Sequence, residues 1–236
     1  MDYAYLVDCY KKELITKVKS VKDGKYVVLC DTIFYPNSGG QPHDLGKMIR
    51  TSDGKEFEVV YVGKFGDDIS HEIVGEGLET GDEVKCVIDW ERRYQLMKMH
   101  TAAHVISRVI HDETGANTSG NQLDIEKSRI DFNFENYDKE QVIKCFDRAN
   151  ELISKNIPVI KSFMKKEEAL KIPNFAGPSP HLMKDIAVLR VVNIEGVDVQ
   201  PCGGTHLDNI GEIGRLEFVK ADNKGKSNRR ITYKIS

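Results

Sequence analysis

The sequence changes its hydrophobic period once, at Trp90, and that switch limits the chain to two halves built on different plans. Upstream, the pattern is that of strands. EVKCVIDW (83–90) alternates Val84, Cys86, Ile88 and Trp90, which puts every second residue on one face. KYVVLCD (25–31) follows Lys22-Asp23-Gly24, and KEFEVVYV (55–62) follows Ser52-Asp53-Gly54, both of them hairpin signals. Strands and turns recurring at this spacing predict a small β-barrel or sandwich over residues 1–90.

Downstream, Leu96, Met99, Ala102, Ala103, Ile106, Val109 and Ile110 share one helical face. Asp89 is placed to cap that helix and Gly115 to stop it. Val142, Ile143, Phe146, Ala149, Leu152 and Ile153 write a second helix within 138–156, with Asp138 and Gln141 at capping-box spacing and Pro158 beyond the end. PVIKSFM (158–164), IAVLRVVNI (186–194), GRLEFVK (214–220) and RRITYKI (229–235) predict strands, and KKEEALK (165–171) a short surface helix. The chain is therefore expected to be α+β: a β-rich domain at 1–90, then a domain at 91–236 with helices packed on an antiparallel sheet.

A chain of 236 residues buries a sizeable core without disulfides or a structural metal. No apolar run approaches the ~18 residues of a membrane span, so no membrane partner is expected. MDYAYLVDCYKKEL at the N-terminus lacks the basic start and apolar core of a secretory signal. Five scattered cysteines fit a reducing compartment, and a cytoplasmic location is expected. The net charge of −3 predicts little by itself, but its distribution is uneven. Asp67–Glu91 holds nine acids against Lys85 alone, whereas Phe218–Ser236 holds six bases against Asp222 alone. A basic end on a near-neutral protein can engage an anionic polymer locally, though such runs also arise as plain solvated faces.

The chemistry concentrates at two places. His100 and His104 stand at i and i+4, where helical Cβ atoms are ~5–6 Å apart. Two imidazoles so spaced can reach one tetrahedral ion with metal–nitrogen distances near ~2.0–2.1 Å. Both fall at the margin of the apolar face, half buried yet reachable. Thr101 stands where an HExxH metalloprotease carries its catalytic glutamate, so that class lacks its general base here. His111 lies a further ~10 Å along the helix, out of reach of the same ion, and reads as a surface or cap residue.

The second place is Pro201-Cys202-Gly203-Gly204-Thr205-His206. Two glycines between Cys202 and His206 favour a tight loop over a helix, with both side chains and some backbone N–H groups turned to one point. An HxxxH pair alone arises often by chance, and a free cysteine is most often a small buried hydrophobe. Together His100, His104, Cys202 and His206 supply three nitrogens and one sulfur, a donor set suited to zinc. The pairs are 102 positions apart in a domain large enough to need no metal staple. That favours a catalytic ion with one position open, His206 being either a direct ligand or a group just outside it.

HTAAH with a distant CGGTH closely resembles the editing domain of alanyl-tRNA synthetases and the free-standing AlaX-type editing proteins. DTIFYPNSGGQPHDLG (31–46) is similar to the FYP–GGQ stretch of the β domain that precedes that editing core. SRIDFNFE (128–135) resembles the strand after the first helix, and NIGEIGRLEFVKADNKGKSNRRITY (209–233) the C-terminal strands with their basic glycine-containing loop. The likeness spans nearly the whole chain, and 236 residues leave no room for an aminoacylation domain. It is therefore to the medium-length free-standing form that keeps the Gly-rich domain. The editing domain of threonyl-tRNA synthetase has related His/Cys spacing, but GGT before His206 and the FYP–GGQ stretch favour the alanine branch.

The resemblance implies a trans-editing hydrolase with one zinc per chain, acting on mischarged tRNA(Ala) by hydrolysing the ester of Ser-tRNA(Ala), with Gly-tRNA(Ala) as the further candidate substrate. The logic is physical: a pocket built for alanine cannot strongly reject an isostere that only adds a hydroxyl, so a second hydrolytic site is useful. Thr118, and after it Gln122, are implied readers of the serine hydroxyl, against a plain helix-ending turn. Gly39 and Gly40 are implied to bring backbone amides to the tRNA 3′ end, against a plain β-turn. Lys224, Lys226, Arg229 and Arg230 are candidate phosphate contacts, against a solvated strand. A zinc-stabilised RNA-binding module without chemistry, a zinc hydrolase of small esters or amides, and editing of Ser-tRNA(Thr) are the alternatives. The oligomeric state is open.

Overall fold

The computed structural model describes residues 3–172, 187–225 and 227–236. Lys226, a phosphate-contact candidate, and the first residue of the strand expected at 186–194 lie outside the described residues. The chain divides into two compact units, Met1–Leu96 and Met97–Ser236.

The first unit contains a short helix α1 (Ala4–Val7) and six strands: β1 (Glu13–Lys22), β2 (Tyr26–Leu29), β3 (Gly46–Arg50), β4 (Glu56–Phe65), β5 (Asp68–Val74) and β6 (Glu83–Ile88). They close into a barrel in the order β1-β2-β5-β4-β3-β6, so no strand edge is left open. The expectation of barrel or sandwich thus resolves to a barrel. Its interior is filled from alternate positions: Val27 and Leu29, Phe57 and Val59, Ile69 and Ile73, Val84, Cys86 and Ile88.

His71 of β5 points into this interior and is fully buried. Its Nδ1 lies 2.9 Å from the Val27 carbonyl and its Nε2 2.9 Å from the Thr32 hydroxyl. Burial holds its pKa down at about 4, so the ring is neutral in the fold. Its unfolded value is 6.5. Above that value the contribution is fully present, and it is lost as pH falls toward 4, because the unfolded chain takes up a proton that the barrel refuses. At ~1.4 kcal/mol per pH unit, the barrel loses about 3 kcal/mol across that window. Denaturant unfolding followed by the single tryptophan, Trp90, measures it. The slope disappears in His71→Leu; an unchanged slope there assigns it to other groups.

The second unit takes up helix α2 (Trp90–Thr114) beyond its first turns, then β7 (Thr118–Gln122), β8 (Ser128–Asn133), α3 (Lys139–Ile153), β9 (Val159–Lys165), α4 (Lys166–Ala169), β10 (Val188–Ile194), β11 (Asp198–Pro201), a 3-10 turn at Ile210–Ile213, β12 (Leu216–Asn223) and β13 (Asn228–Ile235). Two antiparallel sheets result, ordered β11-β10-β9 and β12-β13-β8-β7. Helix α3 lies on β12, where the rings of Phe146 and Phe218 meet edge to face and the Asn150 amide exchanges two hydrogen bonds with the backbone of Leu216. The fold class is α+β, as expected.

Asp89 caps α2 by accepting from the Arg92 amide at 3.1 Å, and Gly115 stops it with φ of +73°. The expected capping box on α3 forms only in half. Asp138 accepts from the amides of Glu140 and Gln141, but the Gln141 side chain donates instead to the carbonyl of Glu113. Helix α2 also departs from the single apolar face: Met97, Thr101 and Val105 are as buried as Met99 and Ala102. Its middle is covered all round, which changes the setting of the two histidines.

Candidate metal centre

His100 and His104 sit in that covered stretch, 5% and 6% exposed, so they are buried rather than marginal. Cys202 and His206 arrive on the irregular segment after β11. Arg190 of β10 fastens that segment: its Nη1 donates to the carbonyls of Cys202 (2.6 Å) and Gly204 (2.9 Å), while the Cys202 amide donates back to the Arg190 carbonyl. The fold brings all four side chains together, with their ligand atoms within 4.8 Å of one another. Cys202 Sγ lies 3.2 Å from His206 Nε2 and 3.6 Å from His100 Nε2. A tetrahedral zinc with the usual bond lengths puts nitrogen and sulfur donors about 3.5 Å apart, so these separations suit one shared ion.

The outward nitrogens are held. His104 Nδ1 lies 3.0 Å from Asp198 Oδ2, and Gln200 Nε2 donates to the same oxygen at 2.7 Å. Gln200 Nε2 is also 3.0 Å from His104 Nδ1; with the ring proton given to Asp198, that approach is a contact between two donors and carries no bond. His206 Nδ1 faces the fully buried Thr101 hydroxyl at 3.2 Å, and that oxygen also accepts from the Leu207 amide. His104 and His206 therefore turn Nε2 inward, the arrangement that metal-binding histidines adopt when an outer partner fixes the ring.

Charge agrees with geometry. Burial works against a Cys202 thiolate, but the imidazoles of His100 and His206 outweigh it and hold the thiol well below its ordinary 9.0. The Gly204 amide points at the sulfur at 3.4 Å. Burial also disfavours charge on His104, yet Asp198 and Cys202 overcome it and lift the ring to about 9. Burial, with His100 beside it, keeps His206 well below 6.5 and neutral. The donor set of three imidazole nitrogens and one sulfur fits a soft-to-borderline divalent ion.

Asp198, Gln200 and Thr101 escaped the sequence reading. A signal existed: Asp198, Gln200 and Cys202 follow one another at every second position, as residues on one strand face do. Asp198→Asn is expected to weaken metal binding about 10- to 100-fold, because His104 loses its charged partner. Chelator competition measures this; an unchanged affinity assigns Asp198 to packing.

The other candidates are dispersed. Thr118 is exposed on β7 and donates to Ser107 Oγ at 3.1 Å, Ser107 being three residues past His104 on α2. Gln122 is exposed on the same strand, its Oε1 taken by the Arg129 guanidinium. Gly39 and Gly40 have φ of +57° and +83° between Ser38 and Gln41, which exchange both backbone hydrogen bonds. That is a two-residue hairpin turn needing two left-handed residues, so the turn itself accounts for both glycines. Arg230 forms a two-pronged pair with Asp131 at 2.7 and 2.8 Å. Arg229 donates to Asn223, Gly225 and Asn228 within its own hairpin. Lys224 is exposed there.

Family models match both units. Residues 4–92 match tRNA synthetases class II (A), and residues 189–232 match the threonyl and alanyl tRNA synthetase second additional domain. The barrel, and the segment that carries Cys202 and His206, thus match domains of tRNA synthetases. The chain is 48% identical over 98% of its length to the alanyl-tRNA editing protein AlaX-M of Methanosarcina acetivorans, covering 97% of that protein. It is 38% identical, with the same two coverages, to that of Saccharolobus solfataricus. To the alanine–tRNA ligase of Pyrobaculum neutrophilum it is 38% identical over 91% of its own length, but spans only 25% of the ligase. The chain belongs to the alanyl-tRNA editing proteins of the AlaX-M type.

Proposed function

We propose that this chain is a zinc-dependent trans-editing hydrolase that removes serine, and also glycine, from tRNA(Ala) and spares alanine, acting in the cytoplasm. Membership of the alanyl-tRNA editing family supports deacylation of tRNA. The observation that carries the metal is the convergence of His100, His104, Cys202 and His206 within 4.8 Å from segments about a hundred residues apart. Among the described residues no helix is long and apolar enough to cross a membrane.

When bound, zinc polarises an ester carbonyl or lowers the pKa of a bound water toward neutrality. The residues of the chain supply the rest. Asp198 and Thr101 fix the rings of His104 and His206, and Arg190 fixes the loop that carries Cys202 and His206. Thr118 is the favoured reader of the serine hydroxyl. Its proton is given to Ser107, which leaves its oxygen free to accept, whereas the Gln122 oxygen is already engaged by Arg129. A site built to bond a hydroxyl discriminates far better than one built to exclude it.

One assay tests the reading: release of serine, glycine and alanine from mischarged tRNA(Ala), and of serine from Ser-tRNA(Thr), before and after chelation. Serine leaves tRNA(Ala) rapidly, alanine stays, chelation stops the reaction and zinc restores it. Binding of tRNA without release, by protein that carries zinc, overturns it in favour of an RNA-binding module. Ester turnover without tRNA overturns it in favour of a small-ester hydrolase.

A further inference from the structure

The outer face of β4 carries a row of rings that the barrel core does not use. Tyr61 and Phe65 are 36% and 64% exposed and stand four residues apart on the same face. Gly63 lies between them, buried beneath them: a Cβ there would come 2.8 Å from Tyr61 and 3.1 Å from Phe65. The imidazole of His43 meets the Tyr61 ring edge to face, with centroids 4.6 Å apart. Its Nε2 lies 3.2 Å from the Val60 carbonyl, and the Asn37 amide donates to the Val62 carbonyl. The loop bearing the Gly39-Gly40 turn is therefore laid along the edge of this strand. Burial keeps His43 below its ordinary 6.5, so the row is uncharged at neutral pH.

One cation adjoins the row. Arg92 donates to the His43 carbonyl through Nε and Nη2, both at 3.3 Å. It has no carboxylate partner among the described residues. The acids on the adjacent strand are matched already, Asp68 by Lys19 at 2.7 Å and Glu72 by Lys25 at 3.2 Å.

We propose that Tyr61, Phe65 and His43, with Arg92 beside them, form a stacking platform for unpaired nucleotides of the tRNA substrate, an inference that rests on the editing function proposed above. Every base has a face that stacks on an aromatic ring, and only unpaired bases expose it. Arg92 at the row suits a phosphodiester link between those bases. A protein partner fits less well. Two exposed rings of ~150–250 Å² each fall far short of the ~1,000 Å² that a stable protein interface buries.

The test is tRNA(Ala) binding and serine release by the Tyr61→Ala/Phe65→Ala double variant, with Ile15→Ala, another exposed apolar residue of the barrel, as control. The double variant is expected to raise Kd and KM for tRNA about 10- to 100-fold, with kcat within twofold. Binding of a blunt RNA duplex does not change. Phe65→Trp, which removes no ring, gives emission that tRNA quenches and the blunt duplex does not. Wild-type tRNA affinity in a folded double variant, with serine release by the wild type intact, overturns the platform alone. A wild type that neither binds nor deacylates tRNA overturns both readings. A wild-type dimer dispersed by the double variant at unchanged tRNA affinity makes the row a self-association surface and also overturns the proposal.

Discussion

On the function proposed above, Cys202→Ala is expected to leave the chain with less than a tenth of the metal that the wild type holds and to lower serine release from tRNA(Ala) by about a thousandfold. Cys202 supplies the only anionic donor of the four, and its sulfur is the atom on which His100 and His206 converge. Without it three imidazoles remain, two of them turned inward by Asp198 and Thr101 toward an ion that has lost its charge partner. Lewis-acid and water-activating assistance together contribute several kcal/mol to a transition state, and about 4 kcal/mol is a thousandfold in rate. Cys202→Ser is expected to fall between, because its oxygen reaches the same place but ionises poorly. Elemental analysis and single-turnover serine release on the same preparations measure both effects. A Cys202→Ala protein with full metal content and wild-type turnover takes the sulfur out of the centre. The barrel is a separate compact unit and should keep its unfolding transition in either variant.

The centre was legible because its donors have narrow chemistry and tell-tale spacing. Few structural reasons put His at i and i+4 on a helix with a Cys–His pair in a glycine loop. What the spacing could not carry was burial. The apolar face of α2 reads as one stripe, yet Thr101 at the supposed polar side is fully buried, because His206 and the backbone of Leu207 meet it there. Asp198 and Gln200 were only half legible: their spacing with Cys202 marks one strand face, but only the fold sets them against an imidazole 94 and 96 positions away. In the barrel, β2, β4 and β6 were plain from alternation and turns. β3 buries a single residue, Met48, and β5 alternates only if an inward histidine is counted as core. In the basic tail, Arg230, Lys220 and Lys234 are paired with Asp131, Asp222 and Glu217.

The same distinction between motif and role gives the second large effect. In FYPNSGGQPHDLG the residue with the heaviest structural duty is Asp44, which is fully buried against fully buried Arg93. Its carboxylate accepts from Arg93 Nε at 3.0 Å, from Arg93 Nη2, and from the Tyr35 amide at 2.7 Å. Arg93 gives two of its other donors to the carbonyls of Cys9 (3.0 Å) and Ile33 (2.6 Å). One guanidinium thereby ties the first turn of α2 to the segment after α1 and to both ends of the motif. Asp44→Ala leaves that cation buried without its anion, and breaking such a pair from one side costs about 3–5 kcal/mol. For a unit of this size that is a fall in Tm of roughly 12 °C or more. Asp44→Leu combined with Arg93→Met removes both charges and should recover most of the loss, since a well-packed apolar pair often equals a buried ion pair. Thermal melts of the single and double variants measure both, and metal content, which rests on side chains of the other unit, should stay at the wild-type level throughout. A single Asp44→Ala that melts with the wild type would mean that water reaches Arg93 and that the pair holds nothing together.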